Sequence, residues 1–127
     1  MLDTDTVSYA LRGRGKVANR LAECPPSQIC VSAITLAELR FGAERRKSAK
    51  LHALIDSFVE GVIVVPLDAL AADRFALVAV DLARQGLPIG NFDTLIAAHA
   101  LALDLTLVTN NVQHFERVAG LKTVCWA

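Results

Sequence analysis

A chain of 127 residues, 54% of them hydrophobic, is long and apolar enough to bury one core without disulfide staples, and its zero net charge excludes an indiscriminate nucleic-acid glue. No apolar run nears the roughly 20 residues of a membrane span. The N-terminus also lacks a basic-then-apolar leader, so a soluble cytoplasmic protein is expected, with residues 1–127 as a single domain and no membrane contact. The cysteines Cys24, Cys30 and Cys125 are odd in number and too widely spaced for a zinc knuckle, which makes them small, partly buried hydrophobes.

In chain order, Met1-Leu2 lead into Asp3, and residues 7–11 read as a short helix. Residues 16–22 suggest a second helix, closed by Pro25-Pro26, and 29–31 a short buried strand. Residues 35–44 are helical up to the charged break Arg45-Arg46-Lys47. Leu51, Leu54, Ile55, Phe58 and Val59 then recur at helical spacing. The β-branched run 62–65, ended by Pro66, is a strand. Residues 70–85 form a long helix, apolar almost all round, which Gly86 closes. Asn91 is a good N-cap for an apolar helix reaching Leu103. Residues 106–108 are a strand, and 121–126 are placed to form a last one. This alternation predicts an α/β fold of three layers, a central parallel sheet with helices on both faces.

Ligands of such folds sit outside the carboxyl ends of the strands, where the strand order reverses. The polar residues that follow strands here are Asp3-Thr4-Asp5, Ser32 and Thr109-Asn110-Asn111, with Glu38 and Asp93 on helices nearby. Charge is segregated as well. Residues 12–50 carry nine of the thirteen basic residues and only three acids, a local charge of +6 against −6 elsewhere. That separation suits a basic face for phosphates beside an acidic pocket, and equally a pair of solvated helix faces.

Each acid has a purely structural explanation. Asp5 or Thr6 is placed to cap the first helix, and Thr35 and Glu38 fit a capping box. Asp93 falls in a first helical turn, where the dipole favours a carboxylate, and Asn111 is placed to cap a short final turn. The joint pattern points further. Asp3, Glu38 and Asp93 are embedded in apolar sequence, where a carboxylate is either buried at a cost or neutralised by a cation. Converging carboxylates offer hard oxygen ligands suited to Mg²⁺ or Mn²⁺. A metal so held can activate water and stabilise charge on a phosphate, which is nuclease chemistry without a serine, cysteine or histidine nucleophile. His52, His99 and His114 are scattered, read as surface or helix residues, and receive no role.

These residues resemble the PIN-domain ribonucleases, in particular the VapC-type toxins of type II toxin–antitoxin pairs. The resemblance runs over essentially the whole chain. Its anchors are MLDTD at 1–5, VSAITLAELRFG at 31–42, PIGNFDTLIA at 88–97, and LVTNN at 107–111 with Phe115-Glu116. It implies a Mg²⁺- or Mn²⁺-dependent endoribonuclease cutting structured RNA such as tRNA or rRNA loops, with Asp3, Glu38 and Asp93 as metal ligands. The fourth acidic position of many members falls on Asn111, which adds no charge. Glu116 is placed to take over part of that role, and Thr109 is a hydrogen-bonding support. Asp5 stands where the family usually carries Asn. The resemblance further implies a homodimer and a small VapB-type antitoxin covering the site, with DNA bound only through the antitoxin. Arg40, Arg45, Arg46 and Lys47 are expected to contact RNA.

Other classes share parts of this pattern. The segment LDTDTV at 2–7 also fits the first motif of haloacid-dehalogenase-like phosphatases, with Asp3 as nucleophile. Such enzymes need a lysine and then an acidic pair after later strands, and only Lys122 follows residue 109. A receiver domain would need a phosphoacceptor after its third strand, for which Asp68 sits poorly. A non-catalytic nuclease-like binding module is disfavoured by the three acids, although Asn111 leaves room for it.

Overall fold

In the computed structural model, which describes residues 1–126, the chain enters at the middle of the sheet. Leu2 bridges in parallel to Val31 on one side and to Val108 on the other. Its N–H donates to the Cys30 carbonyl, and the Asp3 N–H donates to the Val108 carbonyl, both at 3.0 Å. The strands are β1 (Cys30–Ser32), β2 (Ile63–Val65), β3 (Leu107–Val108) and β4 (Thr123–Val124). β1 pairs with β2 and β3 with β4, all parallel, so the sheet runs β2-β1-Leu2-β3-β4. Strand order reverses at Leu2, and Asp3 is the first residue beyond it. The chain's own topology thus sets a carboxylate at the switch point.

The strands are too short to show alternation in sequence, yet alternation divides the interior in two. Met1, Cys30 and Leu107 face one core, with α5 (Ala69–Arg84), α6 (Asn91–Ala102) and α7 (Val112–Phe115). Leu2, Val31 and Val108 face the other, with α1 (Thr4–Leu11), α2 (Val17–Glu23), α3 (Ala33–Arg45) and α4 (Ala49–Glu60). Helices therefore cover both faces of a parallel sheet, as expected, because side chains alternate along each strand. Among the described residues no helix is long and apolar enough to cross a membrane, and all the cysteines are free.

Several helix starts differ from the sequence expectation, each because a different residue caps. α1 begins at Thr4 rather than residue 7, since Asp3 Oδ1 accepts from the Thr6 N–H at 2.8 Å and neither Asp5 nor Thr6 is the cap. α3 begins at Ala33, capped by Ser32 Oγ, which accepts from the Ile34 N–H at 3.1 Å. Thr35 lies inside that helix and is buried, so the capping box with Glu38 does not form. The cap position of α6 is Gly90 (φ 92°, a conformation that favours glycine), with Asn91 as the first helical residue. Asn111 stands at the N-cap of α7 but makes no side-chain bond there. α5 is capped by Asp68, which occupies the carboxylate a receiver reading would need. α5 is not buried all round either, since Leu70 and Leu77 are exposed. The last strand is confined to Thr123–Val124.

Candidate active site

Three segments bring acids to the carboxyl edge of the sheet: the Leu2–α1 junction, the second turn of α3 and the first turn of α6. Asp3 is only 3% exposed. Burial raises its carboxyl above the ordinary 3.8, bonds from Thr109 and Thr6 pull it back, and the nearby Asp5 charge raises it further. Thr109 serves as a relay, for its Oγ1 accepts from the Asn111 N–H at 3.0 Å and its hydroxyl proton remains to donate to Asp3.

Glu38, freed from capping, receives the Thr4 hydroxyl at 2.6 Å. Its carboxyl is raised above 4.5, first by burial and then, against the Thr4 bond, by the charges of Asp93, Asp5 and Asp3. Asp93 is raised above 3.8 by burial, lowered again by His114, and raised slightly by Asp5. Glu38 thus feels the charge of both other acids. Asp5, exposed at the rim, acts on all three.

This arrangement fits a divalent cation in its chemistry. The donors are hard carboxylate oxygens, and among the described residues no lysine or arginine pairs with Asp3, Glu38 or Asp93. Their raised affinity for protons comes first from burial, with neighbouring carboxylate charge adding to it. Among the described residues, no three His, Cys, Asp or Glu side chains already close around one point.

The other expected site residues divide. Glu116 is exposed at the C-terminal end of α7 and is not among the charges that raise the three acids. Arg45, Arg46 and Lys47 are exposed where α3 ends, about 12 Å from Glu38 at 1.5 Å rise per residue. Arg46 reaches a cleft of about 250 Å³ between α1, α3 and α4, whose wall also holds Thr4, Arg12, Glu38 and Lys50. Arg40 is about a third exposed. It donates to Asp56 and to His52 Nδ1, tying α3 to α4. Lys122 pairs with Asp104 on the surface rather than meeting Asp3, so the lysine a dehalogenase-like site requires is elsewhere.

The histidines lie on helices as expected, but His99 and His114 have partners that the sequence did not show. His99, 1% exposed, is a core residue, and its Nδ1 lies 2.8 Å from Ser32 Oγ, the α3 cap. Burial lowers its affinity for protons, against the Asp68 charge and a Pro66 backbone bond, and it links α6 to the end of β1. His114 joins the acids, with Nε2 3.1 Å from Asp93 Oδ2. The signal that could have found it was its place in the short turn after LVTNN, behind a strand that ends at the switch point.

The PIN-domain family profile matches residues 1–121. This chain is a PIN domain. It is 38% identical to the tRNA(fMet)-specific endonuclease VapC of Shigella flexneri over 128 aligned positions, covering 100% of this chain and 97% of that one. It is 37% identical to ribonuclease VapC2 of Haemophilus influenzae, covering 99% and 96%. Among solved structures, DNA-bound VapBC from Salmonella typhimurium superposes with a TM-score of 0.92 at 35% identity, covering 100% of this PIN domain and 97% of that chain.

Proposed function

We propose that this PIN domain is the toxin of a type II toxin–antitoxin pair and cleaves structured RNA as a divalent-metal-dependent endoribonuclease. The observation that carries the reading is a set of three buried or half-buried carboxylates, with Glu38 raised by the charges of Asp3 and Asp93, and among the described residues no lysine or arginine pairs with them. Asp3, Glu38 and Asp93 would hold Mg²⁺ or Mn²⁺, with Asn111, Glu116 and Asp5 at the rim. A bound cation would supply Lewis acidity, activating water and neutralising charge on the phosphate. The protein's own part is placement: Thr109 and the Thr6 N–H hold Asp3, and Thr4 holds Glu38. Relatives named as a tRNA(fMet)-specific endonuclease and as a ribonuclease support RNA as substrate, with tRNA the first to try. The VapBC neighbours support a VapB-type antitoxin partner. The same reading makes the toxin a homodimer acting in the cytoplasm, with DNA contact through the antitoxin alone.

Purified protein incubated with tRNA and Mg²⁺ is expected to leave 5′-phosphate and 3′-hydroxyl ends. Cleavage that survives both a chelator and Asp93→Asn would sink the metal-nuclease reading, and a 2′,3′-cyclic phosphate end would sink hydrolysis by water.

The exposed bases should act through phosphates. Arg45, Arg46 and Lys47 changed together to Ala are expected to weaken RNA binding and flatten its salt dependence. The slope of log K against log salt should fall by about 0.7 for each single-strand phosphate left without its cation. Arg40→Ala should instead lower stability through α3–α4, with the salt slope unchanged. The measurement is a binding titration at several salt concentrations, and an unchanged slope in the triple variant would leave those residues as ordinary surface charge.

A further inference from the structure

His114 is absent from the family's acidic set, yet its geometry is specific. Nε2 lies 3.1 Å from the Ile89 carbonyl and 3.1 Å from Asp93 Oδ2. A carbonyl oxygen only accepts, so Nε2 carries the proton and its single N–H is shared between the two oxygens. In the neutral ring Nδ1 is then the bare nitrogen. The ring is held edge-on to Phe115, centroids 5.3 Å apart at 87°, and Phe115 is among the most buried side chains of the protein. Ile89 is itself buried and immediately precedes Gly90, the cap position of α6.

We propose that His114 is a positioning residue for Asp93. Its Nε2–H, anchored by the Ile89 carbonyl, engages Oδ2 and so fixes the plane of the carboxylate, leaving Oδ1 as the oxygen presented to the other acids. The same bond ties the loop before α6 to α7, so the Asp93 carboxylate is referenced to both the α6 start and the strand end at Thr109. A carboxylate or carbonyl behind a ligand is a recognised device for orienting a metal site, and its loss typically weakens metal affinity by about 10- to 100-fold. Here the ligand is the carboxylate and the orienting donor is the imidazole. The inference rests on the metal-nuclease reading above, and its test separates the two.

Mn²⁺ is titrated into the full chain while free ion is followed by electron paramagnetic resonance, for wild type, His114→Ala and His114→Gln. His114→Ala is expected to raise the Mn²⁺ dissociation constant by about 10-fold or more. The Gln side chain also carries N–H donors, so His114→Gln should recover most of that loss, whereas a purely structural role would lower the melting temperature of both variants without moving the Mn²⁺ constant. Long-range ¹H–¹⁵N spectra of metal-free wild type, taken where the ring is neutral, should show the Nε2–H tautomer whether or not the variants fold. Equal Mn²⁺ affinity in wild type and His114→Ala, or an Nδ1–H tautomer, would overturn the positioning role and leave the nuclease reading standing. A wild type that binds no Mn²⁺ and cleaves RNA in chelator would overturn both.

Discussion

In metal-free protein, Asp3→Asn is expected to raise the melting temperature while cutting RNA cleavage by at least about 100-fold, the scale on which one preorganised charge-stabilising group is felt. The two effects share one cause. Asp3 is almost wholly buried and its carboxyl is raised above 3.8, first by that burial, so its ionised form costs the folded state free energy. Asn keeps the α1 cap, because its carbonyl can accept the Thr6 N–H as Asp3 Oδ1 does. The new amide can donate to the Thr109 hydroxyl.

The sign of the pH dependence follows. An acid whose folded pKa exceeds its unfolded value binds more protons in the native state, so its contribution is complete below the unfolded pKa and is lost as pH rises through the folded one. For Asp3 and Asp93 the lower bound is the ordinary 3.8, and for Glu38 it is 4.5. The stability advantage of Asp3→Asn over wild type should therefore be largest near neutrality and shrink as pH falls toward 3.8. Mg²⁺ should reverse the ranking, since a ligand of the native state at 100 times its dissociation constant adds about 2.7 kcal/mol to wild type alone. Melting curves from pH 4 to 8, with chelator and with Mg²⁺, would decide. A variant no more stable than wild type at pH 7 in chelator would show that burial of Asp3 is not the governing cost.

Phe115→Ala should cost the fold about 3–5 kcal/mol. Phe115 is 1% exposed and belongs to the core beneath α5 and α6, packed with Met1, Ile96 and Leu107. α7 is only four residues long, far below what a helix needs to hold itself, so its place depends on that anchor. Removing the ring also releases the edge-on packing that seats His114. Destabilisation of this size should lower the melting temperature by about 10 °C or more. Denaturant unfolding monitored by circular dichroism should show a lower midpoint at an unchanged slope. A loss under about 1 kcal/mol would mean that the cavity collapses and α7 is held by something else.

The acids Asp3, Glu38 and Asp93 are legible in the sequence, because a carboxylate embedded in apolar residues is unusual and three of them in ordered motifs are more so. The layering is legible too, from helices separated by short β-branched runs. The caps are not. Between Ser32 and Thr35, or among Asp3, Asp5 and Thr6, residues of nearly equal capping propensity stand within three positions. The choice falls to whichever one the strand's exit leaves in extended geometry, as at Ser32 (φ −70°, ψ 149°) and Asp3 (φ −79°, ψ 171°). That choice matters for function, since Ser32 capping α3 releases Glu38 to meet Thr4.

Side-chain pairs distant in sequence are equally hidden. His114 meets Asp93 across 21 positions and His99 meets Ser32 across 67, and no periodicity marks either pair. Arg40 also ties α3 to α4, which the sequence does not show, because its neighbours Asp56 and His52 lie on a helix that only packing brings alongside. Sequence alone marked Asp3, Glu38 and Asp93 as carboxylates set in apolar stretches. Tertiary structure decided which donors hold them, because local propensity chooses among neighbours in the chain while packing chooses among neighbours in space.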